Sequence, residues 1–391
     1  MAGHNVAERK VQIGIVAGEA SGDLLGSHLI AALKKKLPDV EFVGIAGPKM
    51  QSAGARTLFP MEKLAVRGYL EVLRHFREIL AIRRKLKRHF LDNPPDLFIG
   101  VDAPDFNLGL EKALKARGIP TIHYVSPSVW AWRRERVKKI ARAVTHILAL
   151  FPFEPEIYQK AGVQVSYVGH PMADAIVEQP DRAAMRVKLK LPSDAAIIAL
   201  LPGSRQSELH YMAELFIHTA RIIAASKLDV HFLVPLVSRE TRDLFAAALY
   251  RLGAEDLPLT ILFGHAQAAL TAADVALVAS GTATLETALL KRPMVITYKL
   301  SKFSAFLMRR KGYLPYVGLP NVMAGRFIVP ELLQEDATPE NLAQALLNLL
   351  QDEQVKSGLK AEFEHIHRTL RQNTAEKACE VVMRYLPRSK A

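Results

Sequence analysis

The 391-residue chain contains one cysteine, Cys379, and two tryptophans, Trp130 and Trp132. One thiol builds neither an intrachain disulfide framework nor a thiolate cluster, and it suits a reducing compartment. No two histidines stand at HxxH or HxxxH spacing, so a protein-held structural zinc is not expected. The first ten residues have no apolar signal core, and no later apolar run is long enough to span a bilayer. A protein that is soluble or lies on a surface is therefore expected. The GxGxxG fingerprint is missing, which argues against a dinucleotide-dependent oxidoreductase, and without GxxxxGK[ST] an ATP-type phosphate loop has no support. The lack of GxSxG removes the obvious hydrolase nucleophile elbow.

What is present reads as a folded protein, with 50% hydrophobic and 23% charged residues. The length exceeds that at which a single core stops growing, so two domains are expected. The formal charge of +13 favours anionic partners, whether nucleotide, phosphorylated substrate, nucleic acid or membrane surface.

Short apolar runs at residues 11–17, 42–46, 97–101, 121–125, 145–150 and 165–168 alternate with helical or turn segments, the pattern of a parallel α/β sheet. A second series follows at 196–200, 230–234, 259–263, 275–278 and 294–297. We therefore expect an α/β protein with two Rossmann-like domains facing a cleft, residues 1–175 and 176–355. Residues 356–391 read as helices that pack back on the first domain or onto a second subunit, which would make a homodimer.

Four turns carry residues suited to chemistry. GEASGD (18–23) ends the first strand and precedes a helix; its glycines allow close approach and the helix start exposes amides. Ser21 or Asp23 could equally be a helix cap with no ligand. In GVDAPDFN (100–107), Asp102 directly ends a strand and can accept a proton from a hydroxyl, with Asp105 as second choice, although Asp beside Pro is also common turn chemistry. LPGSRQSE (201–208) offers Gly203 and Ser204 to phosphate and Arg205 as a cationic fork, while Glu208 either orients Arg205 or simply starts a helix favourably. ASGTATLETA (279–288) repeats the arrangement: Gly281 and Thr282 at a helix entrance suit a diphosphate, and Glu286 suits two ribose hydroxyls, against a reading of ordinary cap residues.

Residues 62–90 carry nine Lys or Arg against three Glu. Tyr69, Leu73 and Phe76 alternate with bases that include Arg83, Arg84 and Lys85, a pattern that can lie on anionic lipid. The competing reading is an amphipathic helix whose apolar face packs on its own domain. An RNP aromatic motif or a nucleic-acid recognition fold is absent, so nucleic acid is not the expected partner.

Together with HYVSPSVWAWR (123–133), FPFE (151–154), GHPMAD (169–174) and LPN (319–321), these turns closely resemble the lipid-A-disaccharide synthase family, in consistent order over nearly the whole chain. The resemblance implies an inverting GT-B glycosyltransferase that moves a diacylated glucosamine from UDP-2,3-diacylglucosamine to the 6-hydroxyl of 2,3-diacylglucosamine 1-phosphate. The products would be the β-1,6-linked disaccharide 1-phosphate and UDP, made without a cofactor. The absence of a DxD motif leaves no argument for a metal-dependent alternative. Such an enzyme would work on the cytoplasmic face of a Gram-negative inner membrane, with that anionic surface as a partner.

On this resemblance Asp102 is the base and Glu19 a second carboxylate. Ser21, Gly22, Asp23, Ser128, Trp130, Trp132 and Arg133 would line the acceptor side. UDP would meet Gly203, Ser204, Arg205, Glu208, Gly281, Thr282, Glu286 and Asn321. The acyl chains of both substrates make the 62–90 stretch the expected membrane contact. A soluble UDP-sugar transferase or epimerase would share the two-domain nucleotide site without needing that stretch, and a nucleic-acid module would leave the paired turns unexplained.

Overall fold

The structure, a computed structural model, describes residues 10–64, 69–130, 135–226, 228–300 and 314–387, without the side chains of 69–76. The chain forms two compact units, Met1–Asp174 with Leu370–Ala391, and Ala175–Thr369.

The first unit is built on a seven-stranded sheet of β1 (Gln12–Ala17), β2 (Glu41–Ile45), β3 (Ala55–Thr57), β4 (Leu97–Val101), β5 (Thr121–Tyr124), β6 (His146–Ala149) and β7 (Gln164–Tyr167). Their order is β3-β2-β1-β4-β5-β6-β7, with parallel pairing throughout. The central strands are buried on both faces, which is why LFIGV and QIGIVA read as continuous apolar runs rather than alternating ones. Ile13, Ile15, Phe42, Ile99 and Ile122 form the middle of the core.

The second unit holds β8 (Ala196–Leu201), β9 (Val230–Leu236), β10 (Leu259–Phe263), β11 (Val275–Ala279), β12 (Met294–Tyr298) and β13 (Glu331–Leu333), in the order β10-β9-β8-β11-β12-β13, again all parallel. Ile198, Leu200, Phe232, Val234, Leu277 and Ile296 are fully buried in it.

Each sheet therefore reverses its winding once, between β1 and β4 in the first unit and between β8 and β11 in the second. In open α/β sheets the crevice outside the carboxyl ends of the strands at such a reversal is where ligands bind. The four turns singled out in the sequence stand at these ends: GEASGD after β1, GVDAPDFN at β4, LPGSRQSE after β8 and ASGTATLETA after β11.

The carboxyl-terminal helices divide between the units. Helix Glu353–Leu370 runs up to the boundary of the second, whereas helix Thr374–Met383 lies against Ala20–Lys36 in the first. Asp174 fixes this return: its Oδ1 accepts from the amides of Gln372 and Asn373, both at 3.0 Å, and its Oδ2 from that of Thr374 at 2.7 Å. Two edge strands, β3 and β13, have no counterpart among the expected apolar runs. Each is three residues long, too short to show a periodicity.

Candidate active site

In the first unit the chain leaves β4 through two consecutive non-glycine residues in the left-handed region, Asp102 (φ 53°) and Ala103 (φ 44°). Each costs about 1–3 kcal/mol and persists only where the surroundings over-determine it. Here they do. The Asp102 amide donates to the Tyr124 carbonyl at 2.8 Å, Asn107 Nδ2 donates to the Asp102 carbonyl at 2.8 Å, and the amides of Phe106 and Asn107 return to the Ala103 carbonyl. The β1 loop approaches so closely that a Cβ on Gly18 would stand 2.7 Å from that of Ala103. Asp102, half-buried, thus sits at the sheet reversal beside the GEASGD turn, whose Glu19 and Ser21 are exposed.

The members of that turn have different duties. Gly22 packs on the end of β4, where a Cβ would lie 3.3 Å from the Val101 carbonyl. Asp23 is buried, and its two carboxylate oxygens accept from the amides of Lys49 and Met50, each at 3.0 Å, at the start of helix Pro48–Ser52. Asp23 is therefore a brace behind the turn. The cap expected of Ser21 or Asp23 on their own helix falls instead at position 19, where no side-chain cap bond forms.

Beneath Asp102 lies a buried group that the sequence did not reveal. His123 Nδ1 and Glu111 Oε1 are 2.7 Å apart with both side chains fully buried. Burial holds the Glu111 carboxyl above the usual carboxylate range. Burial alone would lower the His123 imidazole, but the contact with Glu111 and the field of Asp102 outweigh it and carry the net shift upward. Gly100 makes the arrangement possible, because a Cβ there would fall 2.2 Å from Glu111 Oε1.

The next strand end, after β5, carries the aromatic stretch. Ser128 is exposed; Trp130 meets Phe153 edge-on with centroids 5.4 Å apart, and Phe153 stacks on Phe151. The side chains of Trp130 and Ser126 hydrogen-bond to Glu154, whose Oε2 also accepts from the amides of Leu150 (3.1 Å) and Phe151 (3.0 Å). Burial nevertheless pushes the Glu154 carboxyl up to about 7, overriding these hydrogen bonds. Ser126 Oγ is 2.8 Å from the Tyr158 hydroxyl, and burial lowers His170, beside Phe151, to about 4. Glu154 and His170 belong to the FPFE and GHPMAD motifs; those short strings carried the signal, but without a role attached. Trp132 and Arg133 lie outside the described residues.

In the second unit Gly203 takes φ 121°, and a Cβ would stand 2.7 Å from that of Glu208. Glu208 Oε2 accepts from the amides of Ser204 (2.9 Å) and Arg205 (3.2 Å), at the start of helix Gln206–Ala224. Its Oε1 lies 3.7 Å from Arg205 Nη1, so Glu208 both caps the helix and holds the guanidinium, which stays largely exposed. On the neighbouring strand end, Gly281 and Thr282 are exposed at the entrance of helix Thr282–Leu289, and burial raises the Glu286 carboxyl. The two turns flank one sheet reversal with glycine, hydroxyls, a guanidinium and a helix start, a set suited to a diphosphate.

Asn321 is fully buried and internally committed. Its Nδ2 donates to the Val329 carbonyl (3.0 Å) and Glu331 Oε1 (2.7 Å), and its Oδ1 accepts from the amides of Ile328 (2.8 Å) and Val329 (3.0 Å). The loop it braces reaches the second turn through the Leu319 amide, which donates to Thr284 Oγ1 at 3.2 Å.

Helix Tyr69–Asp92 forms as the spacing predicts. The side chains of Tyr69, Leu73 and Phe76 lie outside the described ones. Farther along, Ile82, Leu86 and Phe90 are buried in the unit's own core, while Arg84 and Lys85 are exposed and Arg83 is half-buried. Among the described residues, no helix is long and apolar enough to cross a membrane.

Comparison with known proteins agrees with this geometry. The family model described as lipid-A-disaccharide synthetase matches residues 13–383. A lipid-A-disaccharide synthase of Methylobacillus flagellatus is 60% identical over 374 residues, covering 96% of this chain and 99% of the relative. One of Dechloromonas aromatica is 62% identical over 377 residues, with the same coverage. Among solved structures, a glycosyltransferase from Rickettsia africae superposes with a TM-score of 0.59 at 12% identity over 98% of this chain and 100% of its own. A Methanocaldococcus jannaschii UDP-GlcNAc 2-epimerase in complex with UDP-GlcNAc and UDP gives 0.62 at 13% over 96% and 100%. At such identities these two show the fold, the two-domain α/β type of GT-B glycosyltransferases. The match over nearly the full length, at high identity and with the motif turns at both sheet reversals, means that the chain belongs to the lipid-A-disaccharide synthetase family, glycosyltransferases of lipid A disaccharide synthesis.

Proposed function

We propose that the chain transfers 2,3-diacylglucosamine from UDP-2,3-diacylglucosamine to the 6-hydroxyl of 2,3-diacylglucosamine 1-phosphate, with inversion, releasing UDP and the β-1,6-linked disaccharide 1-phosphate. The observation that carries this reading is Asp102, held in a strained left-handed conformation at the β1/β4 reversal by hydrogen bonds to its own backbone. Strain retained at a strand end is the signature of a group whose position matters more than its cost. Asp102 takes the proton as the 6-oxygen attacks the anomeric carbon from the face opposite UDP, and the bond to the departing phosphate oxygen breaks in the same displacement. Glu19, Ser21, Gly22, Asp23, Ser128, Trp130, Trp132 and Arg133 shape the acceptor side.

Charge that accumulates on departing UDP is met by Arg205 and the amides around Gly203, Ser204, Gly281 and Thr282, with Glu208 holding Arg205 and Glu286 receiving the ribose. Asn321 acts through the loop it braces. A solved protein of the same fold in complex with UDP-GlcNAc and UDP supports a UDP-sugar as the donor. The acyl chains of both substrates favour work at the cytoplasmic face of the inner membrane, with Arg83, Arg84 and Lys85 toward anionic headgroups and Tyr69, Leu73 and Phe76 toward the lipid.

Single-turnover transfer with the Asp102→Asn protein tests the base. Transfer should fall by about two to four orders of magnitude with donor binding retained; an unchanged limiting rate at high pH would remove Asp102 from the role. A β-1,6-linked product separates this reaction from epimerisation, which yields no disaccharide.

A further inference from the structure

Helices Tyr69–Asp92, Pro104–Lys115 and Arg136–Ala143 enclose a groove of about 410 Å³ in the first unit. Arg83, Lys112, Arg136, Lys139 and Arg142 line it, and Asp105 is the only carboxylate among the lining residues. Asp105 pairs with Arg136 at 2.5 Å. Among the described residues, no carboxylate pairs with Lys112, Lys139 or Arg142, all exposed to the groove side of their helices. Lys115, one turn away, shows the contrast: its ammonium donates to the carbonyls of Ala141 and Val144 and joins the two helices structurally.

Two features shape the groove. Glycine is a poor residue for a helix interior, yet Gly109 stands there, and a Cβ would lie 3.1 Å from Arg83 Nη1. The glycine lets the guanidinium settle on the helix and donate to the Asp105 carbonyl at 3.3 Å. The groove also begins at Pro104 and Asp105, in the segment that leads from Asp102 into its helix, where the helix start adds positive potential.

We propose that this groove is a subsite for a phosphomonoester carried by a lipid, with guanidinium forks and ammonium groups meeting a group that bears close to two negative charges. If the chain catalyses the proposed transfer, on which this assignment rests, that phosphate is the one on the sugar acceptor; an anionic headgroup offers the same chemistry. The test uses the full chain with Lys112→Gln, Lys139→Gln and Arg142→Gln combined. A charge-matched control combines Lys188→Gln, Lys190→Gln and Arg239→Gln in the second unit, and UDP titration checks the nucleotide site.

In neutral detergent, the acceptor KM of the groove variant should rise roughly tenfold or more with kcat and donor KM held, as expected when charge-assisted contacts to one group are lost. Binding to phosphatidylcholine vesicles with and without phosphatidic acid forms the second arm. A raised acceptor KM with unchanged vesicle binding assigns the phosphate to the acceptor, and weakened binding to phosphatidic acid vesicles at unchanged KM assigns it to the headgroup. If neither moves, or if the control moves both equally, the subsite does not exist. Should the wild-type protein not turn over this substrate pair, the proposed reaction fails, and the vesicle arm alone still decides the groove.

Discussion

Glu154 makes a prediction that can be worked through from its surroundings. It is 1% exposed, and burial lifts its carboxyl from the ordinary 4.5 to about 7 despite hydrogen bonds from two amides, Ser126 and Trp130. In the unfolded chain the same group ionises near 4.5. Between these values the folded state keeps a proton that the unfolded state has lost. The group's contribution is therefore fully present below pH 4.5, falls as pH rises, and is gone above about 7. A difference of 2.5 pH units at 1.36 kcal/mol each amounts to about 3 kcal/mol. Glu154→Gln keeps an oxygen for the amides of Leu150 and Phe151 and cannot ionise. Its unfolding free energy relative to wild type should therefore improve by about 3 kcal/mol between pH 4.5 and 8. Denaturant titrations followed by tryptophan fluorescence read this directly, because Trp130 stands against Phe153 and hydrogen-bonds to Glu154 itself. A stability difference that stays flat across that range would show that Glu154 is ionised in the folded protein and that burial does not dominate its environment.

Asn321→Ala removes four hydrogen bonds and leaves the part-buried amide of Ile328 and the buried amide of Val329 without this partner. A loss of about 3–5 kcal/mol is expected from calorimetry or denaturant unfolding, whereas an intact stability with a raised donor KM would mean that the side chain turns to the ligand. Asp174→Ala unties the segment 372–374 and should expose it to limited proteolysis, at a stability cost of about 2–3 kcal/mol. Unchanged cleavage would show that helix Thr374–Met383 is held by its packing on Ala20–Lys36 alone.

The fold was legible because parallel strands buried on both faces must be continuous apolar runs, and a run bounded by Gly, Pro or Asp is recognisable without coordinates. The turns were legible for the same reason: the turn that leaves the carboxyl end of a buried strand in such a sheet lies at the ligand-binding side. β3 and β13 escaped because an edge strand of three residues buries too little to leave a pattern. Burial of polar side chains was hidden more deeply. Glu111 reads as one more charged residue on an amphipathic helix, and only the missing Cβ of Gly100 on the facing strand makes room for it. Asn321 stood out by its motif, but nothing in LPN announces that all its hydrogen-bonding capacity faces inward.

The carboxylates of the first unit show why residue type alone cannot assign a role there. Asp23 has both oxygens on backbone amides and is a structural brace at a helix start. Glu154, also on amides, is so enclosed that it holds its proton to about pH 7 and can support the aromatic wall without adding a charge to it. Glu111 is equally enclosed but has His123 beside it, so the pair can keep a proton between them below the sheet end. Asp102 alone combines partial exposure, a position at the sheet reversal and a backbone fixed against its own conformational preference. A general base needs access to a hydroxyl, a free lone pair and a fixed direction. The other three carboxylates lack access because each is buried, and exposed Glu19 stands at the helix start after β1 in ordinary extended backbone. Among these carboxylates the environment of Asp102 is the one that supports the proposed base, at a strand end to which the sequence had already narrowed the field.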